Sequence, residues 1–174
     1  MKHTFKPLAL TLVLTLSLAL VDQVTKGYIL YLITGGIPVV GRAFEIVPHA
    51  YIMAKVTDFF RIVFTWNPGT SFSLFRELGE AAPMILIVLT GIIIGFFGHS
   101  LLFRAKDRLE KWALMLIVGG ALGNLIDRIR FGAVIDFLDF HWKTWHWPAF
   151  NFADVFITVG VGLYLLHWVL NKRK

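Results

Sequence analysis

The chain has 174 residues, of which 57% are apolar and only 16% charged, more apolar surface than a water-soluble domain of this length can bury. Its formal charge of +6 comes from basic residues clustered at the ends of apolar runs, a pattern that orients membrane spans and argues against a nucleic-acid partner. There is no cysteine, which excludes disulfides, thiolate nucleophiles, cysteine-ligated metals and lipid attachment to a cysteine of the chain itself.

The first apolar run follows Lys2 and Lys6 and is uncharged from Pro7 to Val21. It resembles a secretory signal, and Ser17 to Ala19 could serve as a cleavage site. The apolar pattern resumes beyond Lys26 and reaches Ile33, however, and the reading adopted is a retained transmembrane helix over about 8–33. Asp22 and Lys26 stand at i and i+4 near its far end, the spacing of an interfacial ion pair with a snorkelling lysine or of a strut for a site.

Residues 34–80 differ in composition, with glycine, proline, scattered charge and short β-rich runs at Phe44–Val47 and Arg61–Trp66. Asn67, Pro68 and Gly69 suit a tight turn in which the glycine supplies a positive φ. A second span is expected over 81–103, a run of about 23 residues without a formal charge, enough at about 1.5 Å per residue to cross a hydrocarbon core. A charged hairpin over 104–111 leads into a third span over about 112–127, rich in the small residues that let helices approach closely. Residues 128–149 form a loop with Asp136, Asp139 and an aromatic tract from His141 to Trp147, read as anchoring at the bilayer boundary. The fourth span runs over about 150–170.

Four spans put both termini on one side. The tails and the 104–111 hairpin hold nine Lys and Arg (Lys2, Lys6, Arg104, Lys106, Arg108, Lys111, Lys172, Arg173, Lys174), whereas the longer opposite loops hold seven (Arg42, Lys55, Arg61, Arg76, Arg128, Arg130, Lys143). The positive-inside rule then places both termini in the cytoplasm and segments 34–80 and 128–149 outside it. Asp22, Asn67, Asp127, Asp136 and Asp154 all fall at that outer face.

Ionisable groups at membrane depth are costly and mark function. Asn124 and Asp127 share a helix face at i, i+3, with Arg128 following Asn124 at i+4. Asn151 and Asp154 have the layout of a helix N-cap with an acid in the first turn. Asp136, between Ile135 and Phe137, sits in a β-like context for a short strand. Spacing leaves three candidate pairs among Asp127, Asp136 and Asp154. Two carboxylates held close share a proton, so that one serves as general base on water and the other as acid on a carbonyl, the chemistry of aspartyl proteolysis. A serine triad lacks its grouped residues, and a zinc site lacks clustered histidines, although His141 and His146 keep that reading open.

Five segments then fall into register: Asp22 to Lys26, Asn67 to Ser73, Gly119 to Arg128, Gly132 to Phe137, and Phe150 to Asp154. In order and place they resemble the motifs of the bacterial lipoprotein signal peptidase family (signal peptidase II). The resemblance covers nearly the whole chain. It implies a single membrane-embedded peptidase domain over 1–174, an α-helical polytopic protein with four transmembrane helices and a small β-containing extracytoplasmic region. It further implies a cytoplasmic-membrane aspartyl endopeptidase, a monomer, that removes the signal peptide of diacylglyceryl-modified prolipoproteins just before the lipidated cysteine. No metal or other cofactor is implied, and the partners are the lipidated substrate and membrane lipid. On the same resemblance Asp136 and Asp154 match the catalytic pair, and Asp22, Lys26, Asn67, Gly69, Asn124, Asp127, Arg128 and Asn151 match supporting or substrate-binding positions. The Pro-Gly-Thr-Ser sequence after Asn67 and a long segment between Gly35 and Phe64 depart from the family pattern.

Two other functions fit intramembrane acids. A proton- or ion-coupled carrier would want them near the midplane, often with inverted repeats, and a structural subunit would not need five polar clusters at one face.

Overall fold

A computed structural model describes residues 5–37, 39, 50–69 and 81–172. Along the chain these form helix α1 (Phe5–Thr34), strands β1 (Ala50–Lys55) and β2 (Phe60–Asn67), helices α2 (Ala82–Phe103) and α3 (Arg108–Phe131), strands β3 (Val134–Trp142) and β4 (Trp145–His146), and helix α4 (Phe152–Lys172). The expected strand at Phe44–Val47 lies outside the described residues. All four helices are long and apolar enough to cross a membrane. Helix α1 is continuous through Ser17 to Ala19 and through Asp22.

By internal contacts the chain divides into two compact units, one of Met1–Asp22, Thr90–Gly123 and Phe152–Lys174, the other of Gln23–Leu89 and Asn124–Asn151.

The first unit is helical, and its organising helix is α3. The apolar window of α3 is 61% buried, against 17%, 6% and 11% for those of α1, α2 and α4. The sequence explains why. With no driving force from water inside a bilayer, helices associate through close backbone approach, which requires small residues at the contact. Gly119 lies against the Thr15 carbonyl and Leu18 of α1, and Gly120 and Gly160 pack where α3 and α4 meet. A β-carbon at Gly120 would stand 2.5 Å from the Ala153 carbonyl oxygen, and one at Gly160 would stand 2.8 Å from that of Ala113. Between these seams Leu101, Leu114 and Met115 form a buried cluster with Leu14, Leu18, Phe97 and Tyr164 around it.

The second unit holds a four-stranded antiparallel sheet in the order β1-β2-β3-β4. Here the structure departs from the expected loop over 128–149: α3 continues to Phe131, and β3 is nine residues long rather than a short strand around Asp136. The cause is a tight junction. Gly132, at φ 74°, ends α3 with its N–H on the Arg128 carbonyl at 3.0 Å, the left-handed helix cap that glycine permits, and the strand starts two residues later. Strand β2 receives it, with Phe60 opposite Phe140 and Asn67 opposite Val134. A bulge between Ile62 and Thr65 puts Arg61 across from Asp139 and Thr65 across from Asp136. Trp66 packs beneath this junction, 5.0 Å from the Phe64 ring and 5.5 Å from Phe131. On its other edge β3 holds Phe150, whose N–H and C=O both bond Leu138, so the residue before Asn151 is fixed to the strand that carries Asp136.

The glycine seam predicts opposite outcomes two residues apart. Gly160→Ala forces a β-carbon onto backbone that cannot turn aside and is expected to cost about 1–3 kcal/mol. Gly162, with nothing within 4 Å of its β-carbon position, should accept alanine at no cost or with a gain of roughly 0.5–1 kcal/mol. Thermal unfolding of the two purified variants in detergent measures both.

Candidate active site

Helix α1 brings Gln23 and Lys26 into the second unit, and α3 brings Asn124, Asp127 and Arg128. Lys26 is 1% exposed, as are Asp127 and Asp136. This overturns the snorkelling reading of Lys26, because its ammonium does not reach water. Its partner is Asp127 Oδ2 at 3.0 Å, and its Nζ also donates to Asn124 Oδ1 at 2.9 Å. The i, i+3 spacing of Asn124 and Asp127 is what lets one ammonium meet both. Asp127 has two further donors: Gln23 Nε2 reaches Oδ1 at 2.8 Å, and the Ile135 backbone N–H reaches Oδ2 at 3.1 Å. A buried charge is tolerated only when paired and hydrogen bonded, and these contacts meet that condition.

The chain of contacts continues to the candidate carboxylate. Asn151 donates through Nδ2 to Asn124 Oδ1 at 3.2 Å, to the Ile135 carbonyl at 3.2 Å and to Asp136 Oδ1 at 2.6 Å. Asn67 donates through Nδ2 to the other oxygen, Asp136 Oδ2, at 2.9 Å. Asn67 is itself held by the turn that follows, since its Oδ1 accepts the Gly69 N–H at 2.9 Å, with Gly69 at φ 88°. The positive φ expected of Gly69 is present, and the last residue of that turn, Thr70, lies outside the described residues. Each oxygen of Asp136 thus receives an amide donor, which fixes the carboxylate plane.

Arg128 directs Nη1 back to the Asn124 carbonyl at 3.5 Å. In the first unit, Asp22 is fully buried and its Oδ1 accepts the Ala153 N–H at 2.9 Å. Asp22 therefore supplies from α1 an acceptor that the first turn of α4 needs. Asp154 lies in that first turn, half-buried. The same unit packs Gly123 against the Asp22 carboxylate, where a β-carbon would collide. Gln23 is a functional neighbour that the sequence reading passed over. Its only signal was position, between two buried polar residues of one motif, and its Oε1 also accepts from Arg130 Nη1 at 3.5 Å.

The energetics of the Lys26 and Asp127 pair give a test. Removing one partner leaves an uncompensated buried charge, so Lys26→Met is expected to cost about 3–5 kcal/mol. Lys26→Met combined with Asp127→Leu should recover a large part of that loss. Chemical unfolding of the single and double variants measures the difference, and equal loss in both would show that the charge is not what the site must satisfy.

With this geometry in place, comparison with known proteins is direct. The family described as Signal peptidase (SPase) II, Peptidase_A8, matches residues 14–170. The chain is 39% identical over 157 residues to the Lipoprotein signal peptidase of Syntrophotalea carbinolica, covering 90% of this chain and 88% of that protein. It is 43% identical over 149 residues to the Lipoprotein signal peptidase of a Janthinobacterium species, covering 85% and 81%. Its fold is similar to a bacterial membrane enzyme solved by the in meso method at 2.3 Å, with a TM-score of 0.66, 26% identity and coverage of 94% and 90%. The chain, a multi-pass bacterial membrane protein, belongs to the signal peptidase II family of aspartic peptidases.

Proposed function

We propose that this signal peptidase removes the signal peptide of prolipoproteins with Asp136 and Asp154 as a catalytic pair, cutting just before the diacylglyceryl-modified cysteine. The observation that carries the reading is the hydrogen-bonded path from Lys26 through Asn124 and Asn151 to Asp136, a large investment of buried polar groups in the orientation of one carboxylate. The segment that supplies Asn151 reaches Asp154 three residues later.

In this mechanism one carboxylate is ionised and removes a proton from water, whose oxygen attacks the scissile carbonyl carbon. The other, protonated, donates to the carbonyl oxygen. The tetrahedral intermediate collapses as a proton passes to the leaving nitrogen, and the C–N bond breaks. Asn67 and Asn151 hold Asp136, Asp22 and Asp127 anchor the helix ends and strand that carry the pair, and Arg128 binds substrate backbone or lipid ester through its fork of donors. The enzyme acts as a monomer in the cytoplasmic membrane, with both termini in the cytoplasm and the pair at the outer face. The basic residues at the tails and the 104–111 hairpin support that orientation.

Asp136→Asn and Asp154→Asn are each expected to lower processing of a lipidated preprotein by at least about 10²–10⁴-fold, since the amide keeps the shape but cannot carry the proton. Thermal unfolding should stay near that of the parent protein. Near-parental processing by either variant would remove it from the pair.

Lipid recognition gives a second test. Burial of acyl chain contributes ~0.8 kcal/mol per methylene, so engagement of only ~5 methylenes corresponds to ~10³-fold in specificity. Unlipidated preprotein should therefore be cleaved at least on the order of 10³-fold less efficiently than the diacylglyceryl form, as kcat/KM. Comparable values would show that the site does not read the lipid.

A further inference from the structure

Asp139 lies three residues after Asp136 on β3, where it bonds Arg61 of β2 and not the amides that hold Asp136. The end of β3 beyond Asp136 carries chemistry that proteolysis does not use. His141 follows Asp139 by two residues on the same face, and His146 on β4 is the direct cross-strand partner of His141. The two imidazoles lie nearly parallel, with centroids 5.2 Å apart and an interplanar angle of 11°. One ligand atom from each of Asp139, His141 and His146 falls within 4.8 Å of the others.

The hydrogen bonding of this trio is incomplete in a way that a cation would complete. Arg61 places both Nε, at 2.8 Å, and Nη2 on the same carboxylate oxygen, Asp139 Oδ2. Oδ1 is left facing His146 Nδ1 at 3.4 Å, too long for a strong bond. That nitrogen is also 3.2 Å from Arg61 Nη2. Accepting from the guanidinium needs a lone pair and donating to the carboxylate needs a proton, and a neutral imidazole cannot offer both at one atom. The Nδ1 of His141 is buried with no hydrogen-bond partner among the described residues. A cavity of about 620 Å³ opens along Arg61, Asp139, His146 and Trp147, with room for waters and a route of entry.

We propose that Asp139, His141 and His146 form a site for a divalent cation of the zinc class, which joins the end of β3 beyond Asp136 to β4. Two imidazoles and one carboxylate with water in the fourth position is a set that zinc accepts. Arg61 orients the carboxylate from Oδ2, and its charge keeps the affinity moderate. The cation clamps the hairpin and takes no part in peptide hydrolysis.

The test is isothermal titration of ZnCl₂ into chelator-treated protein that carries no polyhistidine tag, in detergent, with thermal unfolding in parallel. One saturable equivalent and a zinc-dependent rise in Tm are expected of the parent protein. His146→Ala, at an exposed position, and His141→Ala should bind at least tenfold more weakly and lose the rise in Tm, while His99→Ala should behave as the parent. Peptidase activity of His146→Ala in chelator confirms that this variant is folded, and His146→Gln replaces it if activity is lost. Absence of saturable binding in the parent, or equal binding by the His146 variant, overturns the site.

Discussion

The ion pair of Lys26 with Asp127 is the constraint on which the second unit depends. Two charges have been taken wholly out of water, which is affordable only because every contact around them is made at once. Asn124 shares the ammonium, Gln23 and the Ile135 backbone share the carboxylate, and Asn151 shares Asn124. The result ties α1, α3, β3 and the segment before α4 to one another by polar contacts of fixed geometry. Dispersion between apolar side chains, being non-directional, would not fix the orientation of a carboxylate, whereas charge-assisted hydrogen bonds of 2.6–3.1 Å do. Asp136 stands at the end of this path and inherits its rigidity.

The first unit solves a different problem with different means. Its helices have little to gain from burying apolar side chains away from lipid that is equally apolar, and they rely on backbone proximity at Gly119, Gly120 and Gly160. A polar contact adds to this scheme, the Asp22 carboxylate on the Ala153 N–H. It satisfies a donor in the first turn of α4 and so bears on the helix that carries Asp154. Each proposed catalytic aspartate is thus supported by a residue of the Asp22 to Lys26 motif, Asp154 through its own helix end and Asp136 through the path from Lys26.

Much of this was legible in the chain, for identifiable reasons. The four apolar runs announce themselves by length, and the glycine run from Gly119 to Gly123 announces a close contact. The motif residues that resemble the family included nearly every member of the buried path, although spacing alone left Asp127, Asp136 and Asp154 in three possible pairs. What was hidden is non-local. Lys26 meets Asn124 across 98 residues of sequence and Asp22 meets Ala153 across 131, and no i, i+4 rule points to either. The sheet was underestimated because its strands are buried or twisted by a bulge and do not alternate cleanly, and because the aromatic tract from His141 to Trp147 reads as an anchor while it also builds β4. Gln23 carried no compositional signal at all.

The central claim is that Asp136 and Asp154 act as one unit that holds a single proton. The pH dependence of kcat/KM on a lipidated peptide in detergent tests this most directly. A shared proton predicts two limbs between acid and alkaline pH, one for loss of the proton from the pair and one for its second protonation, set apart because one ionised carboxylate opposes ionisation of the other. A profile governed by a single ionisation, flat on one side across that range, would contradict the account.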